Sequence, residues 1–203
     1  MQCTTVLPAG YTSWKTIDFK QDQSLIVVLG LGSLLAFVGF GFLFLLLAFL
    51  LSPSFSRNFR LVINNFQTLV IAILSIVIAL VLVSIVVIIV HEAIHGIFFW
   101  LFTKKRPVFG FKWAYAYAAA PEYYIPRDQF LVIGIAPLIL ISLVGLALFP
   151  VTSFVVTLIL VLTLTMNAAG AIGDLYVVGW LLTRPASLVI QDYGDGMTVY
   201  GPL

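Results

Sequence analysis

Charged residues are scarce in this chain: they make up 9% of its 203 residues, against 62% hydrophobic residues. Soluble globular domains carry about 25% charged residues. The composition therefore excludes an ordinary soluble domain and predicts an integral membrane protein in contact with a lipid bilayer. The single cysteine, Cys3, excludes an intrachain disulfide and a cysteine-based zinc cluster. Because the sequence carries no nucleic-acid-binding signal, we expect no nucleic-acid partner.

Four apolar runs are long enough to cross a bilayer, which takes about 20 helical residues. They extend over about 25–51, 69–102, 130–149 and 153–182. Pro150 separates the last two and predicts a tight helical hairpin. With no internal repeat or low-complexity linker, the sequence predicts one all-α transmembrane domain over residues 1–203.

The distribution of Lys and Arg predicts the orientation of these spans. Only Arg57 and Arg60 lie between the first two runs, and with four spans the other basic residues all fall on the opposite side: Lys15, Lys20, Lys104, Lys105, Arg106, Lys112, Arg127 and Arg184. Cytoplasmic loops are the ones enriched in Lys and Arg. We therefore expect a multi-pass protein of the cell membrane with both termini in the cytoplasm.

The segment over 109–129, FGFKWAYAYAAAPEYYIPRDQ, does not have the pattern of a regular helix. It is aromatic, it partly alternates, and Pro121 and Pro126 interrupt it. These features predict a short hairpin or a re-entrant loop at the cytoplasmic surface. An aromatic belt at the membrane interface is the alternative, and one segment can serve as both.

The stretch HEAIHG holds the only two histidines of the chain, His91 and His95, at the end of an apolar run. Positions i and i+4 share one face of a helix, so both imidazoles can bind one zinc ion. Glu92 lies beside them, where it can take a proton from metal-bound water. Catalytic zinc has three protein ligands and a water, so a third ligand is required.

Asp174 is the candidate for that third ligand. Six of the eight acidic residues lie in polar segments, which leaves Glu92 and Asp174 as the acids inside apolar runs. At 1.5 Å per helical residue, His95 and His91 lie roughly 14 and 20 Å below the cationic edge at Lys104. By the same count Asp174 lies roughly 15 Å below Arg184. The matching depths predict one shared site with one zinc ion.

Other interpretations of these polar residues stay open at this point. His91, His95 and Asp174 could hydrogen-bond one another without metal, or line a proton or ion path. Asn167 lies two helical turns before Asp174 and could donate to a substrate carbonyl. Its alternative role is an interhelical hydrogen bond. For Pro137 we expect a kink in the third span rather than a role in the chemistry.

Several of these motifs together resemble a known family. The “putative zincin peptidase” family is resembled by HEAIHG in a membrane span, by IPRDQFLVIGIAPL after an aromatic loop, and by Asn167 seven residues before the Asp of GDL. This is a group of small bacterial and archaeal membrane proteins known as a domain of unknown function. The opening LPAGY and the closing DYGDGMTVY extend the resemblance over nearly the whole chain.

The arrangement is also similar to the site-2 protease group of intramembrane metalloproteases. That resemblance implies that His91, His95 and Asp174 are zinc ligands, that Glu92 is the general base and that Asn167 orients the substrate. The chain departs from the pattern in three ways. Leu175 stands where Gly follows the Asp, Gly170 stands where Pro is expected, and the Asn-to-Asp spacing is about one residue shorter.

The resemblance implies an intramembrane zinc metalloprotease that cleaves membrane or membrane-adjacent protein substrates. The segment over 109–129 could hold such a substrate as an added strand. The alternatives are a zinc or proton transporter and a membrane metal hydrolase of a non-peptide substrate, built on the same side chains.

Overall fold

The computed structural model describes residues 2–18, 21–59, 66–112, 115–194 and 196–203. Most of these residues are helical, in α1 (Gln23–Leu51), α2 (Pro53–Asn58), α3 (Phe66–Thr103), α4 (Arg127–Leu148), α5 (Phe154–Gly170) and α6 (Ile172–Leu182). A 3-10 turn over Phe149–Val151, with Pro150 in it, joins α4 to α5. This is the tight connection that Pro150 predicted.

Three of the helices, α1, α3 and α4, are long and apolar enough to cross a membrane. The fourth predicted span is broken: α5 and α6 meet at Ala171 and are bent by 47° relative to each other. Counting that pair as one span makes four, in agreement with the sequence. Because of this break, the residues after Ala171, including Asp174, form the first turn of a new helix.

The mostly helical fold is confirmed, but the all-α class is wrong, because the described residues also form six short strands. They are β1 (Tyr11–Asp18), β2 (Val108–Lys112), β3 (Tyr115–Ala119), β4 (Ile125–Pro126), β5 (Val189–Asp192) and β6 (Gly196–Pro202). β1, β6, β5 and β4 form one antiparallel sheet in that order. Its pairs join distant parts of the chain, such as the hydroxyls of Thr16 and Thr198 at 3.2 Å. Local patterns could not reveal that pairing.

The sheet gathers three segments at one end of the helices. β1 precedes α1, β4 precedes α4, and β5 and β6 follow α6. This is the set of segments that the Lys and Arg distribution placed on one side of the membrane. That this side is the cytoplasm remains a prediction.

The segment between α3 and α4 forms a hairpin in the structure. β2 and β3 pair antiparallel, with Val108 opposite Ala119 and Gly110 opposite Tyr117. β3 packs against α3, the helix that carries HEAIHG. Gly96 makes this approach possible, because a Cβ at that position would lie 2.4 Å from Cζ of Phe109. The hairpin therefore lies directly over the candidate site.

Candidate metal centre

His91, His95 and Asp174 lie together between α3 and α6. Nε2 of His91 is 3.1 Å from Nε2 of His95 and 3.0 Å from Oδ2 of Asp174. Nε2 of His95 is 3.5 Å from the same carboxylate oxygen. Both histidines are buried. Asp174 lies in the first turn of α6, where the helix macrodipole stabilises a carboxylate.

Hydrogen bonds behind the two rings determine which nitrogen of each carries the proton. Nδ1 of His95 lies 2.9 Å from the carbonyl oxygen of Ile133, which can only accept, so this nitrogen is the donor. Nδ1 of His91 lies 2.9 Å from Oδ1 of Asn167. The Asn167 amide donates through Nδ2 to the carbonyl of Pro137 at 3.4 Å, so its oxygen faces His91. Both imidazoles, when neutral, therefore present an unprotonated Nε2 to the centre.

With both imidazoles neutral, this arrangement brings three acceptor atoms together with no proton between them. Two imidazole lone pairs and a carboxylate oxygen at these distances repel one another unless a cation lies among them. Tetrahedral zinc, with bonds of about 2.0–2.1 Å, keeps its ligand atoms about 3.3–3.4 Å apart. The observed separations of 3.0, 3.1 and 3.5 Å bracket that value. The donor set and its spacing thus fit a zinc ion.

Glu92 lies next to this group but is not part of it. Among the described residues, the ligand atoms of His91, His95 and Asp174 lie within 4.8 Å of one another, and Glu92 is outside that group. Its Oε2 accepts a hydrogen bond of 2.8 Å from the backbone N–H of Ala118 in β3. The hairpin therefore orients the carboxylate of Glu92 beside the metal centre.

Two cavities meet at the centre, and Glu92 and Asp174 border both. The sheet-side cavity has a volume of about 200 Å³ and extends to Tyr117, Asp192 and Met197. The helix-side cavity has a volume of about 460 Å³ and runs between α3 and α5, lined by Ser84, Val87, Ile88, Met166, Asn167 and Gly170.

Two residues of this region escaped the sequence-based analysis. Asp192 lines the sheet-side cavity, and its Oδ1 accepts from the N–H of Gly194 at 2.7 Å. Burial raises the pKa of Asp192 to about 7. The ring of Tyr117 lies against two glycines, Gly110 and Gly194, and so connects the hairpin to the β5–β6 turn. The glycines and acids of DYGDG predict a turn, but nothing local shows that this turn packs at the metal centre.

Comparison with known proteins supports the same chemistry. The model of the family described as “Putative zincin peptidase” matches residues 84–189, a range that contains His91, Glu92, His95, Asn167 and Asp174. No curated protein and no solved structure matches the chain significantly. Because the matched range covers more than half of the sequence, this chain belongs to that zincin peptidase family.

Proposed function

We propose that this protein is an intramembrane zinc metalloprotease that hydrolyses peptide bonds of membrane or membrane-adjacent protein substrates. The main support for this proposal is that acceptor atoms of His91, His95 and Asp174 lie together. The carboxylate of Glu92 lies beside them and is not one of the three. A metal site used only for structure has its coordination closed by protein ligands, whereas a catalytic site keeps a position open. Three ligands with a free glutamate at their side match the catalytic kind.

His91, His95 and Asp174 would hold one zinc ion, which supplies Lewis-acid polarisation of the water and of the scissile carbonyl when it is bound. Glu92 takes the proton of the attacking water and delivers it to the leaving amine. The N–H of Ala118 binds Oε2 of Glu92, so the other carboxylate oxygen is available to the water. The chain thus contains both the metal ligands and the proton carrier that the reaction requires.

We assign to Asn167 a positioning role rather than contact with the substrate. Its side chain is fully buried, and both ends of its amide are engaged, with His91 and with the carbonyl of Pro137. A residue that orients the substrate would present one of these atoms to the cavity. An outer hydrogen bond of this kind fixes the orientation of a metal-binding histidine and raises its basicity.

The cavities indicate how a substrate could reach the site. The helix-side cavity is mainly apolar and reaches His91 and Asp174, as a membrane-derived segment requires. The N–H of Ala118 points away from β2 toward α3, so the outer edge of β3 forms a wall of the site. An extended substrate could pair with this edge as an added strand.

The first test is the metal content of the detergent-purified protein, measured by mass spectrometry for wild type, His95→Ala, Asp174→Ala and Glu92→Gln. We expect about one zinc in wild type and Glu92→Gln, and loss in the other two, since each of these lacks one of three ligands. Wild type purified without chelator and found free of metal would refute the proposal.

Proteolysis itself is tested in cells. Membranes from cells that express wild type or Glu92→Gln are compared by labelling new protein N-termini. We expect cleavage products that are present with wild type and absent with Glu92→Gln. Zinc flux into liposomes, unaffected by Glu92→Gln and without any such products, would identify a transporter instead.

A further inference from the structure

Pro137 lies inside α4, which continues through it from Arg127 to Leu148. Proline has no backbone N–H, so the helical hydrogen bond from residue 137 to the carbonyl of Ile133 cannot form. A buried carbonyl without a partner is costly, so another donor is needed there. Ile133 is 2% exposed, so water does not readily supply that donor.

The donor is His95, one of the candidate metal ligands. Nδ1 of His95 lies 2.9 Å from the Ile133 carbonyl that the proline leaves available. The carbonyl of Pro137 accepts from Asn167, whose Oδ1 in turn lies 2.9 Å from Nδ1 of His91. The hydrogen bonds behind both histidines therefore end on α4, at Pro137 and at the carbonyl one turn before it.

We propose that Pro137 is a positioning residue of the metal centre. By withholding a backbone N–H it leaves the Ile133 carbonyl to His95, which holds the His95 proton on Nδ1 and directs Nε2 toward the metal. This inference rests on the metal-binding part of the proposed function and is independent of whether the protein cleaves peptides. It gives Pro137 a role other than the kink that the sequence predicts.

The substitution Pro137→Ala separates this role from a structural one, because the two predict different effects on stability. Alanine restores the helical N–H and is favoured over proline in a helix interior. This gain offsets the packing lost with the buried proline ring, so the fold should be about as stable as in wild type. The restored N–H competes with His95 for the Ile133 carbonyl, so zinc affinity should fall by about tenfold, at the lower end of the range for outer hydrogen-bond partners.

The presence of only two histidines allows a direct measurement of their tautomers. Protein labelled with ¹⁵N-histidine is examined by NMR without metal in detergent, at a pH high enough for both rings to show the ¹⁵N shifts of a neutral imidazole. In wild type both rings should carry the proton on Nδ1. In Pro137→Ala one ring, His95, should show a mixture of the Nδ1–H and Nε2–H forms while the other stays unchanged. Pro150→Ala, a proline substitution outside the site, is the matched control and should resemble wild type in both tautomers and zinc affinity.

Three results would overturn the inference. They are an unchanged zinc affinity in Pro137→Ala, an unchanged pair of tautomers, and a loss of affinity that is accompanied by a matching loss of thermal stability. If the alanine variant does not fold, Pro137→Val restores the same N–H with a side chain of similar volume and is judged by the same readouts. Because none of these readouts involves peptide cleavage, a failure here is distinguishable from a failure of the proposed peptidase activity.

Discussion

Replacing Asn167 with alanine removes the acceptor that holds His91 in place. The Asn167 side chain is 0% exposed, the His91 side chain is buried, and the cavity that both residues border is mainly apolar, so little is at hand to replace the lost acceptor. With zinc bound at Nε2, the imidazole cannot turn to find another partner, and its Nδ1–H is left without an acceptor. A buried donor left unsatisfied costs about 1–3 kcal/mol.

That cost falls on the metal-bound state, because the metal-free imidazole can reorient. At 1.4 kcal/mol per factor of ten, it corresponds to a zinc dissociation constant raised roughly 5- to 150-fold. Measured losses of outer hydrogen-bond partners in metal sites, about 10- to 100-fold, fall in the same range. We therefore predict a 10- to 100-fold weaker zinc affinity for Asn167→Ala.

The assay is a competition titration against a chelator of known zinc affinity, in detergent. Thr165→Ala is the control: Thr165 is a buried polar residue of the same helix, but its hydroxyl donates to the carbonyl of Val161 within α5. Asn167→Asp should retain most of the affinity, because a carboxylate can accept from His91 as the amide does. An Asn167→Ala shift below about threefold, far less than such outer partners contribute, would refute the reasoning, as would an equal shift in Thr165→Ala.

Glu92→Gln should keep the zinc content of wild type and lose peptide cleavage, because Glu92 is outside the ligand group; metal loss measured by mass spectrometry would contradict this. In metal-free protein, the pKa of Asp192 is about 7, above its value of about 4 in an unfolded chain, so ionisation destabilises the fold. The melting temperature of wild type should therefore fall relative to that of Asp192→Asn as the pH rises from about 4 to 7. Parallel curves of melting temperature against pH would contradict this prediction. Gly194→Ala should lower the melting temperature more than Gly10→Ala. Both positions have positive φ, at 82° and 79°, but only at Gly194 would a Cβ meet Tyr117, at 2.1 Å. Equal losses of melting temperature in the two variants would show that the clash with Tyr117 does not affect stability.

The sequence-based analysis and the structure agree where the signal is local. An i, i+4 pair of histidines occupies one helix face whatever surrounds it, and long apolar runs form helices in a bilayer because no other partner exists for their backbone. The depth of Asp174 follows from counting residues along a helix, and the structure brings it to His91 and His95. Local reasoning was wrong about the all-α fold, because the sheet joins segments that are far apart in the chain.

By itself, the sequence determined the long apolar helices, the HEAIHG pair with Glu92 beside it, and the acid at matching depth, since each depends on composition or helical spacing alone. Only the tertiary structure decided the state of the ligands. The tautomers of His91 and His95 depend on acceptors in α4 and α5, which are distant in sequence and meet the rings only when the helices pack. The tertiary structure also decided three further features: the break at Ala171, the contact of Ala118 with Glu92, and the position of Asp192 at the sheet-side cavity. Packing between elements, not local preference, sets which of these groups meet.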